Sequence, residues 1–338
     1  MKRLPLYLML AALAVCSCAK DPVAGKNDEA KLYFDAWMHV NHPEAEKTGL
    51  GIYVLDEIPG TGTEAGTPES HPFVRLDYVM WDLEWGIGAT TSEELCKQMG
   101  TYEFGDYYGP EIWARANNAL TAGVEEGIST MRVGGTKRFI VPGWLETTSR
   151  YETEEEYLKN ATGTAAIYEI TLLEVITDIK KWEADSIGRY ISKTFPGKSV
   201  LDSLHYGFYY FQTKAAPEDK SFTTDTTIYV NYVGRLLDGT VFDTNVKDSA
   251  KFYGVYSAAQ TYGPSEVKIS KGENEDLTVT MGSSSVIDGF EDAILQMGPY
   301  AKGVSLFYST LGYGSSGNGD AIPGYAPLRF DIEVVNKS

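Results

Sequence analysis

The sequence predicts an α+β protein of two tandem units, each a twisted antiparallel β-sheet with a short packed α-helix and a leading helix. Three observations carry that class. Runs such as Ile228-Tyr-Val-Asn-Tyr-Val233 alternate with period two, the pattern of a half-buried strand. The helical patterns are few and short, as in Gly123-Val-Glu-Glu-Gly-Ile-Ser-Thr-Met131, where Val124, Ile128 and Met131 share a face. The same order of segments also occurs twice, at offsets drifting from about 153 to 166 residues.

The N-terminus is read first. Lys2-Arg3 precede an apolar run, Leu4 to Ala14, of about eleven residues, too short to span a bilayer and of the length of a signal-peptide core. Val15-Cys16-Ser17-Cys18 follows and resembles a bacterial lipobox, with Cys18 after the small Ser17 as the modified cysteine. Residues 1–18 are thus expected to be a lipoprotein signal peptide, and 19–27 a small, polar tether. A lipid on Cys18 would hold the chain at a membrane without any spanning helix. The remaining cysteine, Cys96, has no partner for a disulfide and is read as a small packed side chain.

The first unit is expected over 28–178. Glu29 to Val40 has helical spacing, with Leu32, Ala36 and His39 or Val40 on one side, and Tyr33 and Trp37 beside them; Pro43 ends it. Gly51 to Leu55 and Phe73 to Trp81 read as strands, whereas about 86–118 lacks periodicity and reads as a long insertion. The short helix at Gly123 is broken by Gly134-Gly135. Strands at Lys137 to Val141 and Ala166 to Ile176 follow, with the acidic run Glu152 to Glu156 between them as a solvated helix face. The second unit, 179–338, repeats this: a helix at Glu183, a strand at Gly207, Tyr232 answering Tyr78, Gly289-Phe-Glu-Asp-Ala-Ile answering Gly123-Val-Glu-Glu-Gly-Ile, and a last strand Leu328 to Val335.

Within the second unit, Asp238-Gly239 marks a hairpin turn, which returns a strand carrying Phe242 and Asp243 side by side. The stretch Tyr232-x-Gly-x-Leu-x-Asp-Gly-x-x-Phe-Asp243, followed by Val286-Ile-Asp-Gly-Phe290 and Leu311-Gly-Tyr-Gly314, resembles the signature of FKBP-type peptidyl-prolyl cis-trans isomerases. The resemblance spans about 207–337 strongly and about 47–177 weakly, and implies two FKBP-like units. It implies that Phe290 is the pocket floor, where the family usually has Trp, with Tyr232, Phe242 and Phe330 as walls. Val286 and Ile287 match the apolar pair whose second N–H binds a substrate carbonyl, Tyr313 would give its hydroxyl to another, and Asp243 would shape the polar edge. Leu277 falls where a further wall aromatic usually lies, Asn318 where a His is often found, and Ile322-Pro323 keeps the usual pair. Residues 244–276 exceed the family's usual segment and form an insert at the rim. The first unit lacks Asp-Gly-x-x-Phe-Asp, puts Val124 at the floor and has no Tyr-Gly loop after Pro142, so it is expected to be degenerate and non-catalytic.

Such chemistry fits an apolar site. The planar amide resists rotation by about 18–20 kcal/mol, and a twisted amide carries less charge separation, so a water-poor pocket favours it. No metal and no cofactor is expected. Net charge is −18, which disfavours a nucleic-acid partner. His39-x-x-His42 has no third ligand nearby, and Gly312-Tyr-Gly-Ser-Ser-Gly317 opens no helix of the kind a dinucleotide motif needs. The expectation is a lipid-anchored isomerase and folding helper for Xaa-Pro segments of exported polypeptides, in a bacterial envelope and at its outer membrane. The rival expectation is an FKBP-like lipoprotein that binds a protein or surface ligand without turnover.

Overall fold

The computed structural model describes residues 27–198, 203–217, 222, 225–271 and 276–337. Along the first unit run α1 (Asp28–Asn41), β1 (Glu46–Lys47), β2 (Tyr53–Ile58), β3 (Phe73–Asp82), β4 (Gly86–Thr90), α2 (Glu93–Met99), β5 (Glu111–Ala114), α3 (Ala122–Ser129), β6 (Thr136–Val141), α4 (Glu154–Asn160) and β7 (Ala166–Ile176). The second unit has α5 (Ile179–Thr194), β8 (Ser203–His205), β9 (Phe208–Lys214), β10 (Thr226–Leu236), β11 (Val241–Thr244), α6 (Lys247–Phe252), β12 (Ser265–Lys271), β13 (Leu277–Met281), β14 (Ser284–Ser285), α7 (Asp288–Leu295), β15 (Lys302–Phe307) and β16 (Leu328–Val335).

Each unit folds one antiparallel sheet. The first has the order β1-β2-β6-β7-β3, with β4 and β5 both on the free side of β3. The second has β8-β9-β15-β16-β10, with β11 and β12 both on the free side of β10, and β13 and β14 continuing outward. Apart from β13 and β14, which the first sheet lacks, the two sheets have the same topology, so the α+β class and the tandem organisation are as expected. A short helix packs on each: Gly123 of α3 lies against Val141, and Gly289 of α7 against Phe307, so close that a Cβ on either glycine would fall 2.3 Å from its neighbour. Helix and strand meet there because the residue at the contact has no side chain.

The leading helices cover what remains. α5 is capped by Asp178, which accepts from Lys181 N–H, and it buries Ile187 and Ile191 against Val304 and Leu306 of β15 and against Tyr209 and Phe211 of β9. Covered by α5 on one face and α7 on the other, β15 is buried along almost its whole length, which is why Lys302-Gly-Val-Ser-Leu-Phe307 lacks the alternation of a half-buried strand.

The structure differs from the sequence reading in three places. α1 buries Phe34 and Met38, with Phe34 edge-on to Trp144 at 5.4 Å, whereas Leu32 and Val40 are exposed. The segment 86–118 holds β4, α2 and β5; α2 is capped by Ser92 and stopped by Gly100 at φ 74°, with Cys96 buried beneath it. Its strands are short and rich in small residues, so they carry too little apolar contrast to read as periodic. The 244–276 stretch is likewise structured, since it contains α6 and then β12, which pairs with both β10 and β13 and so widens the sheet. The acidic run at Glu152 leads into α4 through a capping box of Thr153 and Glu156.

Candidate functional site

The site begins at an irregularity in the β10–β11 ladder. The register slips between Gly234 and Arg235, so Phe242 is the extra residue of a β-bulge and both it and Asp243 are re-aimed over the sheet. Gly234 makes this possible: a Cβ there would sit 2.6 Å from the Phe242 ring and 2.9 Å from the Phe330 ring. Asn245, itself buried, bridges the stretch of β10 between its pairing with β12 and its pairing with β11. Its Oδ1 accepts from Tyr232 N–H at 2.9 Å, and its Nδ2 donates to Val230 O at 2.7 Å and Ser265 Oγ at 2.9 Å. The Thr244 hydroxyl donates to Tyr232 O at 2.6 Å. Around this staple the aromatic box assembles. Phe290, delivered by α7, meets Tyr232 edge-on at 5.8 Å and Phe330 of β16 at 5.3 Å; Phe242 meets Phe330 at 5.7 Å, and Phe307 stacks behind Phe330. Edge-to-face pairs at these separations are the favoured geometry for rings. α7 is held in place because Glu291 accepts from Val279 N–H at 2.9 Å.

One charged group borders the rings. The Tyr232 hydroxyl donates to Asp243 Oδ2 at 2.8 Å. Burial, reinforced by the Asp243 charge, pushes the Tyr232 phenol well above its ordinary value, so it remains a donor at any physiological pH. Tyr313 approaches from the loop after β15. Its phenol is also raised, by burial and then by Asp243, with the Asn318 side chain opposing the shift. That loop is pinned at its base by Glu183 of α5, which accepts from both the N–H and the hydroxyl of Ser309, the latter at 2.8 Å.

The structure therefore brings together Tyr232, Phe242, Asp243, Phe290, Phe330 and Tyr313, with Leu277, Val286 and Ile287 packed on the same cluster and partly exposed. Ile287 immediately precedes α7 and turns its carbonyl into the helix, accepting from Phe290 N–H at 2.9 Å. Ile322 is only 2% exposed, so it backs the rim rather than lining an opening, whereas Asn318 is exposed. Cys18 lies outside the described residues. The sequence reading gave neither Asn245 nor Glu183 a role at the site; nothing in a lone Asn after Phe-Asp-Thr, or in a lone Glu on a helix, marks a staple. Among the described residues no group of His, Cys, Asp and Glu is placed to hold a metal ion.

Comparison with known proteins bears on the same segment. A family model described as FKBP-type peptidyl-prolyl cis-trans isomerase matches residues 218–335. "FK506-binding protein 2" of Dictyostelium discoideum is 29% identical over 139 residues, 41% of this chain and 84% of the relative. An "FK506-binding protein" of Neisseria meningitidis is 27% identical over 139 residues, again 41% of this chain and 95% of the relative. Among solved structures, a peptidyl-prolyl cis-trans isomerase of Pseudomonas syringae is 24% identical, covering 47% of this chain and 97% of that one at a TM-score of 0.31. The three FKBP domains of wheat FKBP73 are 12% identical and cover 84% of this chain and 94% of that one, at 0.27. The bulge-borne Phe-Asp pair and the aromatic box lie within the matched segment, and residues 218–335 form a domain of the FKBP-type peptidyl-prolyl cis-trans isomerase family.

Proposed function

We propose that the second unit catalyses cis–trans isomerisation of Xaa-Pro bonds, and that the chain does so as a lipid-anchored envelope protein acting on exported polypeptides. The observation that carries this reading is the pairing of the Tyr232 hydroxyl with Asp243 at 2.8 Å on the edge of a box of aromatic rings. The rings supply a water-poor surface on which the twisted, less charge-separated amide is favoured over the planar one. Asp243 is held in one orientation by Tyr232, which fixes the polar edge beside the bond as it twists. Tyr313, partly exposed on the same cluster, would donate its hydroxyl to a substrate carbonyl and so orient the peptide. The envelope location rests on the signal-like N-terminus and the Ser17-Cys18 pattern alone. The first unit, in this reading, is non-catalytic.

A second reading, binding without turnover, is favoured by one observation: Phe290 and Phe330 retain only 3% and 4% exposure, so the floor is already covered by the protein's own side chains. Exchange NMR of Xaa-Pro peptides decides between them. Wild type is expected to accelerate exchange, with Asp243→Ala, Phe290→Ala and Tyr313→Phe each slower. Folded wild type that leaves every peptide at the buffer rate would remove the enzyme and leave the binder.

A further inference from the structure

The loop 312–325, which carries Tyr313, Asn318 and Ile322, is poor in self-imposed order. Gly314, Gly317, Gly319 and Tyr325 all take positive φ, and glycine gives the backbone little preference of its own. Its backbone ties to itself and to its base are few: Gly312 N–H and Gly314 N–H to Ser309 O, Asn318 N–H to Ile322 O and Tyr325 N–H to Gly314 O, at 2.8–2.9 Å. Its conformation therefore depends on what packs against it, and one side of it is covered by the first unit.

The contact comes from the segment between α2 and β5. Tyr107 N–H donates to Asp320 O at 2.8 Å, in the middle of the tip between Asn318 and Ile322. The Tyr107 ring packs into the apolar cluster of the second unit, and its hydroxyl donates to Pro110 O at 3.0 Å, which fixes the ring on its own segment. A second clamp lies at the end of the loop, where Phe73 of β3 meets Tyr325 edge-on at 5.3 Å, and Tyr325 is held at φ 60°. The same segment also reaches the stretch after α6. Phe104 lies over Gly254 so closely that a Cβ there would fall 2.1 Å from the ring.

We propose that the first unit is a positioning element for the site of the second: Tyr107, assisted by Phe73, sets the conformation of loop 312–325 and thereby the placement of Tyr313 and Asn318. This rests on the isomerase reading for its kinetic consequence, though its structural consequence stands apart from it. Tyr107 touches no reacting atom; it acts through Asp320.

The test uses the intact two-unit chain. Tyr107→Ala removes the ring and keeps the N–H, Tyr107→Pro removes the N–H donor, and Tyr107→Phe keeps both. Exchange NMR yields kcat and KM, and the Tyr313 ring and Asn318 side-chain amide resonances report the loop directly. Tyr107→Pro is expected to lower kcat/KM about fivefold, the rate equivalent of one ordinary hydrogen bond, Tyr107→Ala to lower it by a similar factor through the lost packing of the ring, and both to shift or broaden both sets of resonances. Tyr107→Phe is expected to restore both. Wild-type kinetics and wild-type resonances in Tyr107→Ala and Tyr107→Pro would overturn the proposal. Should a Tyr107 variant fail to fold, Phe73→Leu asks the same question through Tyr325. A wild type without isomerase activity would defeat the functional reading, and the resonances alone would then decide this one.

Discussion

In both units the central strand pairs with a short neighbour whose register slips once, between Met80 and Trp81 in the first and between Gly234 and Arg235 in the second. The bulge therefore exists in both, and what differs is the side chains placed on it. The second unit has glycine on the central strand and Phe242-Asp243 on the neighbour. The first has Met80 on the central strand and Gly88-Ala89 on the neighbour, with Met80 Cε 3.1 Å from where a Gly88 Cβ would lie. Large and small have changed places, and the space that holds the Phe242 ring in one unit holds a Met side chain in the other. Tyr78 is retained but its ring packs on Trp113 at 4.8 Å, while Val124 stands where Phe290 forms the floor. The staple persists: Thr91 Oγ1 accepts from Tyr78 N–H at 3.0 Å, as Asn245 Oδ1 does from Tyr232 N–H. The comparison separates fold from site. Backbone pairing, the bulge and its staple belong to the sheet and occur in both units; Gly234, Phe242, Asp243 and Phe290 belong to the site and occur in one.

The most disruptive way to probe that separation is to move a residue of the first unit into the second. Gly234→Met would force a Cβ to within 2.6 Å of Phe242, and we expect loss of isomerisation to the buffer rate together with about 2–3 kcal/mol of stability, the range seen for overpacked cores. Denaturant melts and exchange NMR measure both, and a variant retaining wild-type exchange would mean that the Phe242 ring is not part of the site. Phe290→Val, the floor of the first unit, should cost roughly 2 kcal/mol by leaving a cavity under Tyr232 and Phe330, with a slower rate for the same reason. Asp243→Ala sharpens the contrast because the fold should survive it while the rate does not: about 1 kcal/mol of stability lost, mostly from the Tyr232 hydroxyl left without its acceptor, and kcat/KM lower on the order of tenfold in the fully folded variant. A wild-type kcat/KM in the folded variant would make Asp243 a structural residue.

Much of this was legible in the sequence, for reasons that particular residues show. Ile228 and Val230 alternate with polar neighbours because one face of β10 is buried, and Asp238-Gly239 marks its turn because Gly239 sits at φ 103°. Six side chains named from the motif meet in one place: Tyr232, Phe242 and Asp243 come from one hairpin, where the bulge between its strands sets their aim, and short motifs bring the others. What escaped was non-local or low in contrast. Tyr107 acts on a loop more than two hundred residues away in the chain, and no spacing encodes that. β4, with Gly86-Ile-Gly-Ala-Thr90, has too little apolar alternation to declare itself, and α1 shows its exposed Leu32 and Val40 as prominently as its buried Phe34 and Met38.

A pH-dependent effect concerns two buried carboxylates, one per unit. Burial pushes Glu183 up to about 7 from an ordinary 4.5, against the opposing hydrogen bonds from Ser309; it also pushes Glu146 up to about 7, only partly opposed by the neighbouring Thr121 and Tyr168 hydroxyls. A carboxyl whose folded value lies above its unfolded one keeps its proton on folding, so the folded state binds more protons than the unfolded between those two values. Stability is then greatest below about pH 4.5, falls as the pH rises towards 7 and levels off above it, by at most about 3 kcal/mol for each group. Glu183→Gln should flatten that slope in the unfolding of the second unit and leave the Glu146 slope in the first, when denaturant midpoints are followed by resonances of each unit from pH 5 to 8. An unchanged slope in the second unit would show that Glu183 is ionised in the fold as readily as in the unfolded chain. Because the same carboxylate holds Ser309 at the base of the loop bearing Tyr313, the titration also asks whether the site tightens or relaxes across this range, as the first unit's Glu146, with no such loop to hold, cannot.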